Sequence, residues 1–283
     1  MIHEGTIIPS TPETLDCQTC GWIHLVDIPD NAEMYRSGFY ENEKPNYFKE
    51  EQEDKLWHWM NFDFQWQTAT KTPLTSHVKN VLDVGCGSGL FLERAAIRQV
   101  NRFGIEPNIS AAQLASRHGT IIKKCVNVKK HIDLVRCAFV LEHLPEPVAM
   151  LADIRSVMWP LSVAIFIIPN DFVQDTVING IQTEYYWVHP HHVNYWNKRT
   201  FTRLLLNNGF DVLRVAGTYP IEGFLHQGFN YIGNDELGRQ CHKKRCEYEL
   251  GLWRACPQAL SKMWFELGEY GQGRDLIFWA RKA

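Results

Sequence analysis

Long apolar runs are missing from this sequence. The longest apolar stretch, around Leu161 to Pro169, is far too short to cross a bilayer and predicts a buried strand. The N-terminal residues also lack the basic-then-apolar pattern of a secretory signal. We therefore expect a cytoplasmic protein that has no membrane partner.

A large net charge is missing as well. The 29 basic and 32 acidic residues leave a formal net charge of −3, so no broad positive field attracts nucleic acid. The sequence also contains no internal repeat and no low-complexity tract. The 283 residues, 45% of them hydrophobic and 22% charged, predict one large α/β domain with additions. We expect no nucleic-acid partner.

Glycines concentrate after one short apolar run. Val81 to Val84 predict a buried parallel strand, and Gly85, Gly87 and Gly89 follow at alternate positions before a predicted helix. Glycine tolerates positive φ and lets a ligand lie against the backbone, and a helix N-terminus offers free N–H groups. The pattern predicts a strand, turn and helix that hold a nucleotide.

Two acidic residues accompany this turn. Asp83 lies on the strand, and Glu106 ends the next predicted strand. A carboxylate offers two acceptor oxygens to two vicinal ribose hydroxyls, so Glu106 indicates a bound nucleoside without choosing the cofactor. A dinucleotide fingerprint needs a third glycine at position 90, where Leu90 stands. A nicotinamide-dependent dehydrogenase is therefore a disfavoured alternative.

Two strings resemble motifs of the class I S-adenosylmethionine-dependent methyltransferases. The D-x-G-x-G-x-G string from Asp83 to Gly89 resembles motif I, and D-L-V…V-L-E-H-L from Asp133 to Leu144 resembles motif II. The resemblance implies that S-adenosyl-L-methionine is the cofactor, with its ammonium held by Asp83 and its ribose by Glu106. The cofactor-binding residues that it implies are Asp83, Gly85, Cys86, Gly87, Gly89, Glu106, Pro107, Phe139 and Leu141.

The same resemblance implies an α/β fold, a Rossmann-like seven-stranded methyltransferase sheet. Residues 1–75 are expected to form an N-terminal lid segment with a C-x-x-C knuckle and aromatic helices, and residues 76–283 the methyltransferase domain. Insertions are expected at about 171–197 and 219–274. The second far exceeds the short hairpin of the family minimum, so we expect a helical cap beside the acceptor pocket.

Two details of the chain depart from the family pattern. Relatives place an acid that contacts the adenine amino group after the third strand, predicted here at Thr120 to Val126, but Asn127 stands in that region. The Cys17-x-x-Cys20-Gly turn resembles one knuckle of the four-cysteine zinc ribbon that many such methyltransferases carry. A structural zinc needs four ligands, and His24 with the distant Cys241 and Cys246 would have to be recruited. We therefore expect no metal there.

Histidines are the candidates for a general base, because their ordinary pKa of about 6.5 allows proton uptake near neutral pH. His192 lies in the segment after the fifth strand, where relatives line the acceptor site, and Tyr195 follows it. We expect His192 to act as a base or to orient the substrate, with turn packing as its alternative. His143 follows the fourth strand, and its alternative is packing of the loop.

These observations together predict methyl transfer from S-adenosyl-L-methionine to a small molecule. O-methylation of a sugar-like or other hydroxyl is the first hypothesis for the reaction. The alternatives are a NAD-type dehydrogenase and a cofactor-binding but inactive partner subunit. The oligomeric state is left open.

Overall fold

A seven-stranded mixed sheet lies at the centre of the protein. The computed structural model describes residues 3–10, 12–71, 78–174 and 191–283. In this part of the chain the strands are β1 (Gly5–Ile8), β2 (Thr14–Cys17), β3 (Ile23–Leu25), β4 (Asn80–Val84), β5 (Asn101–Ile105), β6 (Thr120–Ile122), β7 (Ile132–Ala138), β8 (Met158–Pro169), β9 (Asn194–Tyr195), β10 (Phe210–Gly217) and β11 (Asp275–Lys282). The central sheet has the order β10-β11-β8-β7-β4-β5-β6. Its strands β4 to β8 pair in parallel, and β11 runs antiparallel between β8 and β10.

Helices cover both faces of this sheet. In the described residues they are α1 (Ala32–Ser37), α2 (Tyr47–Glu53), α3 (Lys55–Thr70), α4 (Leu90–Ala95), α5 (Ile109–Ala115), α6 (Pro147–Val157), α7 (Lys198–Asn207), α8 (Gly223–His226), α9 (Asp235–Ala255) and α10 (Pro257–Tyr270). A π-helix spans Phe39–Glu43, and 3₁₀ turns span Ala96–Arg98, Cys125–Asn127 and Leu141–His143. None of the described helices is long and apolar enough to span a membrane.

The architecture confirms the predicted Rossmann-like methyltransferase sheet. The third strand is shorter than predicted, because β6 ends at Ile122 and a 3₁₀ turn follows. The side-chain oxygen of Asn127 accepts the Lys124 backbone N–H at 3.0 Å within that turn. The side chain considered for the adenine contact is thus used to cap its own turn.

A second, small sheet was not predicted from the sequence. It has the order β1-β2-β3-β9 and is antiparallel throughout. Two residues from the end of the first expected insertion, Asn194 and Tyr195, therefore complete an N-terminal sheet. Trp22, just before β3, is buried in the main core, and its Nε1 donates to Asn194 Oδ1 at 2.8 Å. The N-terminal segment is therefore anchored to the methyltransferase domain. Residues 175–190 of the expected insertion at 171–197 lie outside the described residues.

The aromatic stretch expected in the N-terminal segment forms α3, which packs in the core of the central sheet. Trp57, Phe62 and Phe64 are buried, and the Phe64 ring lies 4.8 Å from that of Trp264 and 5.6 Å from that of Trp279. These aromatic side chains are therefore part of the core, because α3 packs its rings against a helix and a strand that come much later in the chain.

The segment between β10 and β11 is helical, with α8, α9 and α10. It does more than cover a pocket, because Leu260 and Trp264 of α10 are fully buried in the main core. Glu249 of α9 is also buried, and its carboxylate accepts the indole N–H groups of Trp57 and Trp264, each at 2.7 Å. These helices therefore complete one face of the sheet.

Close packing of α10 on β10 predicts a specific cost for one substitution. A Cβ on Gly268 would lie 2.4–2.6 Å from backbone atoms of Ala216, which cannot move independently of the strand. We expect Gly268→Ala to lower the free energy of unfolding by about 1–3 kcal/mol, as overpacking usually does. Gly251 in α9 has no atom near its added Cβ, so Gly251→Ala should stabilise by about 0.5–1 kcal/mol. Urea titration of both variants measures the difference, and equal stabilities would contradict this packing.

Candidate functional site

The glycine turn after β4 is built so that side chains are excluded from it. Gly85, Gly87 and Gly89 all have positive φ, between 53° and 86°. A Cβ on Gly85 would lie 2.3 Å from Val140 Cγ2, and one on Gly89 would lie 2.8 Å from Ala115 Cα. Gly85 and Gly89 are therefore required by the backbone conformation and by close packing against Val140 and Ala115, whereas an added Cβ at Gly87 would meet only the Tyr40 hydroxyl among the described residues, at 3.5 Å.

Glu106 is held in place at the end of β5. One carboxylate oxygen accepts the Gly87 N–H at 2.8 Å, and the other accepts the Asn108 N–H at 2.9 Å. Burial raises the pKa of Glu106, while these two hydrogen bonds favour the ionised form. Each oxygen keeps a further lone pair, so the carboxylate can still accept two hydroxyl protons. Pro107 is exposed beside it.

Cys86 turns its side chain away from the open side of the turn. It is buried, and a Cβ on Gly104 would lie 2.7 Å from its sulfur, so the thiol packs against β5. Burial raises the pKa of the Cys86 thiol, which keeps it protonated. Its backbone N–H donates to Ile105 O at 3.0 Å. The Cys86 side chain therefore contributes packing beneath the turn.

Asp83 is the buried acid of the site, with 1% of its surface exposed. Oδ1 accepts Arg136 Nη1 at 3.1 Å, whereas Oδ2 has no hydrogen-bond partner in the described part of the chain. Burial raises the pKa of Asp83 to about 6, and the charge of Arg136 opposes that rise. A buried carboxylate oxygen without a partner suits the ammonium group of the cofactor's methionine.

Sequence reasoning missed several residues around the turn. Arg136 lies on β7, within the string that resembles motif II, and forms an ion pair with Asp83. Glu51 of α2 accepts the Ser88 hydroxyl, and a Cβ on Gly87 would lie 3.5 Å from the Tyr40 hydroxyl. The chain from the π-helix into α2 therefore lies against the glycine turn. No spacing rule could have paired these residues.

The end of β7 carries a backbone strain. Phe139 has φ of 55°, its N–H donates to Ile167 O at 2.9 Å, and 45% of its surface is exposed. A non-glycine residue in this conformation is held there by its surroundings, and such positions cluster at functional sites. Leu141 differs, because its side chain is buried in the main core. Any contact of Leu141 with a cofactor would have to come from its backbone.

A buried cluster of titratable groups follows β7. His143 Nδ1 lies 2.6 Å from His191 O, so the N–H is on Nδ1 and the lone pair is on Nε2. His143 Nε2 lies 4.0 Å from Glu142 Oε1. Burial raises the pKa of Glu142 to about 8 and lowers that of His143 to about 4. At neutral pH the carboxyl is therefore mostly protonated and the imidazole is neutral.

His192 joins this cluster. Its ring lies 4.9 Å from that of His143, and its Nδ1 has no hydrogen-bond partner among the described residues. Burial lowers the pKa of His192 well below the ordinary value, and the charge of Arg274 adds to the effect. Tyr195 is fully buried in β9 and its hydroxyl donates to His192 O at 3.0 Å. Tyr195 thus fixes the backbone of His192, and its hydroxyl is not presented to a substrate.

A cavity of about 670 Å³ lies between the lid segment and α9. Many of the residues that line the cavity are charged or polar. Two of them, Lys44 and Arg274, carry positive charges that lower the pKa of His192. Glu51 lines the cavity and also binds the glycine turn. Through Glu51 the cavity is connected to Ser88 of the glycine turn, whereas its described lining includes neither the turn glycines nor His143 and His192.

Comparison with known proteins agrees with this geometry. A family profile described as a methyltransferase domain matches residues 56–215. The ubiquinone biosynthesis O-methyltransferase of Coxiella burnetii (strain Dugway 5J108-111) is 24% identical over 187 residues, which cover 54% of this chain and 80% of that protein. The enzyme of the same name from Marinobacter nauticus is 31% identical over 96 residues, which cover 29% of this chain and 40% of that protein.

Solved structures share the fold at low sequence identity. The magnesium protoporphyrin IX methyltransferase of Synechocystis PCC 6803 with bound SAH superposes with a TM-score of 0.55 at 15% identity, covering 90% of this chain and all of that one. A SAM-dependent methyltransferase of Thermotoga maritima, described as a possible histamine N-methyltransferase, gives 0.51 at 16% identity, covering 87% and 98%. Because the family profile matches more than half of the chain, this protein belongs to the methyltransferase domain family and uses S-adenosyl-L-methionine as its cofactor.

Proposed function

We propose that this protein transfers the methyl group of S-adenosyl-L-methionine to a hydroxyl of a polar small molecule. The observation that supports this most directly is the pair of acids at the glycine turn, because Asp83 has a buried oxygen without a partner in the described chain and Glu106 is oriented by the Gly87 and Asn108 N–H groups. The name of the relatives, ubiquinone biosynthesis O-methyltransferase, favours oxygen as the methyl acceptor. The charged residues in the lining of the cavity, such as Glu50, Asp54 and Arg239, favour a hydroxyl-rich, sugar-like molecule over one with a long apolar tail.

The cofactor would be held by the residues of the glycine turn and its two acids. Asp83 Oδ2 accepts the ammonium of the methionine portion, and the Glu106 carboxylate, oriented by Gly87 and Asn108, accepts the ribose hydroxyls. Gly85 and Gly89 allow the turn to pack closely against Val140 and Ala115, which fixes the backbone that would hold the cofactor. When bound, the cofactor supplies an electrophilic methyl group on its sulfonium. The protein's contribution is mainly to align that group with the acceptor oxygen.

Proton removal is assigned to the histidine cluster. An acceptor hydroxyl must lose its proton as the new bond to carbon forms, and a neutral imidazole can take it. His192 is neutral at physiological pH, because burial lowers its pKa, and its buried Nδ1 has no partner in the described chain. We therefore assign His192 the role of general base. His143 orients it through ring contact, and the protonated Glu142 beside His143 keeps the cluster uncharged. The dehydrogenase and inactive-subunit alternatives have no such support.

The pH dependence of cofactor binding tests the role of Asp83. Only the ionised carboxylate attracts an ammonium group, so affinity is present above the pKa of about 6 and is lost as the pH falls through it. We expect the Kd of S-adenosylhomocysteine, measured by calorimetry, to rise about tenfold per pH unit below about pH 6. Asp83→Asn should bind more weakly near neutral pH and lose most of this dependence. A Kd that stays constant from about pH 7.5 to 5 in the unaltered protein would contradict the assignment.

A substitution at His192 tests the proposed base. We expect His192→Ala to lower kcat by about 10²–10⁴, since general-base catalysis contributes that much, with little change in the Kd of S-adenosylhomocysteine. His192→Asn is the matched variant, because its amide keeps hydrogen bonding but cannot take the proton, so its kcat should fall similarly. Steady-state kinetics with labelled cofactor give both values. A fall of less than threefold in both variants would exclude His192 as the base.

An acceptor screen tests the function itself. Sugars, phenols and other hydroxyl compounds that raise the Tm in the presence of S-adenosylhomocysteine would be assayed for methyl transfer from labelled cofactor. Gly238 lines the cavity on α9 and has open space around it, so Gly238→Phe should raise the KM of the acceptor at least tenfold and spare cofactor binding. Gly251→Phe, on the same helix but outside the cavity wall, is the control. Equal kinetics in the two variants would place the acceptor elsewhere.

A further inference from the structure

Four potential metal ligands meet at the small N-terminal sheet. His3, Cys17, Cys20 and His24 bring one nitrogen or sulfur atom each into a group in which all donor atoms lie within 4.8 Å of one another. His3 Nδ1 is 3.3 Å from Cys20 Sγ, 3.6 Å from Cys17 Sγ and 3.1 Å from His24 Nε2. The sequence-based expectation of a metal-free knuckle did not consider His3, which lies 14 residues before Cys17.

These spacings are those of a tetrahedral zinc site. A Zn²⁺ ion about 2.0–2.1 Å from nitrogen and 2.3 Å from sulfur sets its ligand atoms about 3.3–3.8 Å apart. The measured separations of 3.1, 3.3 and 3.6 Å lie close to that range. Two thiols and two imidazoles also form one of the common ligand sets of structural zinc.

The surroundings of the four residues prepare them for metal binding. His24 Nδ1 lies 2.7 Å from Leu25 O, so the carbonyl takes the Nδ1–H and leaves the Nε2 lone pair facing the cluster. The Cys20 backbone N–H donates to Cys17 Sγ at 3.3 Å, which stabilises a thiolate. Cys17 and His24 are buried, with 1% and 3% exposed. The positive φ of Gly21 forms the turn that brings the sulfurs together.

We propose that His3, Cys17, Cys20 and His24 bind one structural Zn²⁺ ion. All four positions are protein ligands, so the ion has no open position for water or substrate and serves structure only. The inference does not depend on the identity of the methyl acceptor or on the assignment of His192 as the base.

The zinc would support the loop that carries the histidine cluster. It joins the start of β1 to the Cys17–Cys20 turn and β3, and His24 of β3 pairs with Asn194 of β9. The Asn194 side chain then donates to the backbone oxygens of Leu141 and Leu144, on either side of Glu142 and His143. Removal of the ion should therefore loosen the small sheet and the motif II loop while the glycine turn stays intact.

Two other groups of possible ligands are weaker candidates in the described chain. Asp54, His242 and Cys246 form a set of three, in which Asp54 is already neutralised by Arg239. Glu142, His143 and His192 form another, which belongs to the proposed catalytic cluster. Each offers only three ligands, so neither supplies the four protein ligands of a closed structural zinc site. Substitutions in these groups therefore serve as controls.

Metal analysis of the full chain, purified without added metal, tests the proposal. We expect one zinc per chain by inductively coupled plasma mass spectrometry, and a lower Tm after treatment with a chelator. Cys20→Ser is the main variant, because Cys20 is only partly buried and its loss leaves the core intact, and it should lose most of the zinc. Cys256→Ser, at an exposed cysteine outside the cluster, and His242→Ala should both keep it.

Two further measurements separate loss of the site from loss of the fold. Binding of S-adenosylhomocysteine by Cys20→Ser shows that the main domain has folded, and Co²⁺ exchanged into the unaltered protein should give the visible absorption of tetrahedral cobalt with thiolate ligands. Absence of zinc from the purified protein, a Cys17–Cys20 disulfide in its mass spectrum, retention of zinc by Cys20→Ser, or its loss from His242→Ala would each overturn the proposal.

Discussion

One buried ion pair connects most of the structure around the cofactor site. Arg136 on β7 binds Asp83 on β4, and its guanidinium lies 4.9 Å from the Phe62 ring of α3 and 5.3 Å from the Phe91 ring of α4. Its Nε also donates to Gln65 Oε1 of α3 at 3.2 Å. Burying charge is costly unless it is paired, so these elements must pack together for either ion to be stable. The pairing uses only one oxygen of Asp83, which leaves the other for a cationic ligand.

Burial also sets the protonation states of the cluster after β7, because it shifts the pKa values of acids and bases in opposite directions. Removal of water disfavours every charged form, so it raises the pKa of Glu142 to about 8 and lowers that of His143 to about 4. The cluster is therefore nearly uncharged at neutral pH. The small sheet holds this cluster in place from the other side, through Asn194 and the backbone of Leu141 and Leu144.

Local sequence rules were sufficient for much of the fold and for part of the site. The apolar run at β4, the glycines after it and the acid at Glu106 form one continuous strand–turn–helix–strand unit, so short-range spacing reports their geometry directly. Asn197 caps α7 with its side chain accepting the Thr200 N–H, which is a contact between residues close in sequence. Asn108 caps α5 in the same way, and the nearby Ser110 hydroxyl instead donates to Glu41, which lies far away in the sequence. The helical segment before β11 was predicted, yet its share in the core depends on Glu249 and Trp264 meeting α3.

The sequence by itself indicated the seven-stranded methyltransferase fold, the position of the glycine turn and the class of cofactor, because the motifs that carry the family resemblance are made of residues close together along the chain. Tertiary structure alone decided which distant groups meet. It paired Arg136 with Asp83, brought His143 beside His192, and carried His3 to Cys17, Cys20 and His24. It also assigned Tyr195 to packing by burying it in β9. The physical reason is that pKa shifts, ion pairs and ligand geometry depend on distances through space and on burial, and no periodicity in the chain records either quantity.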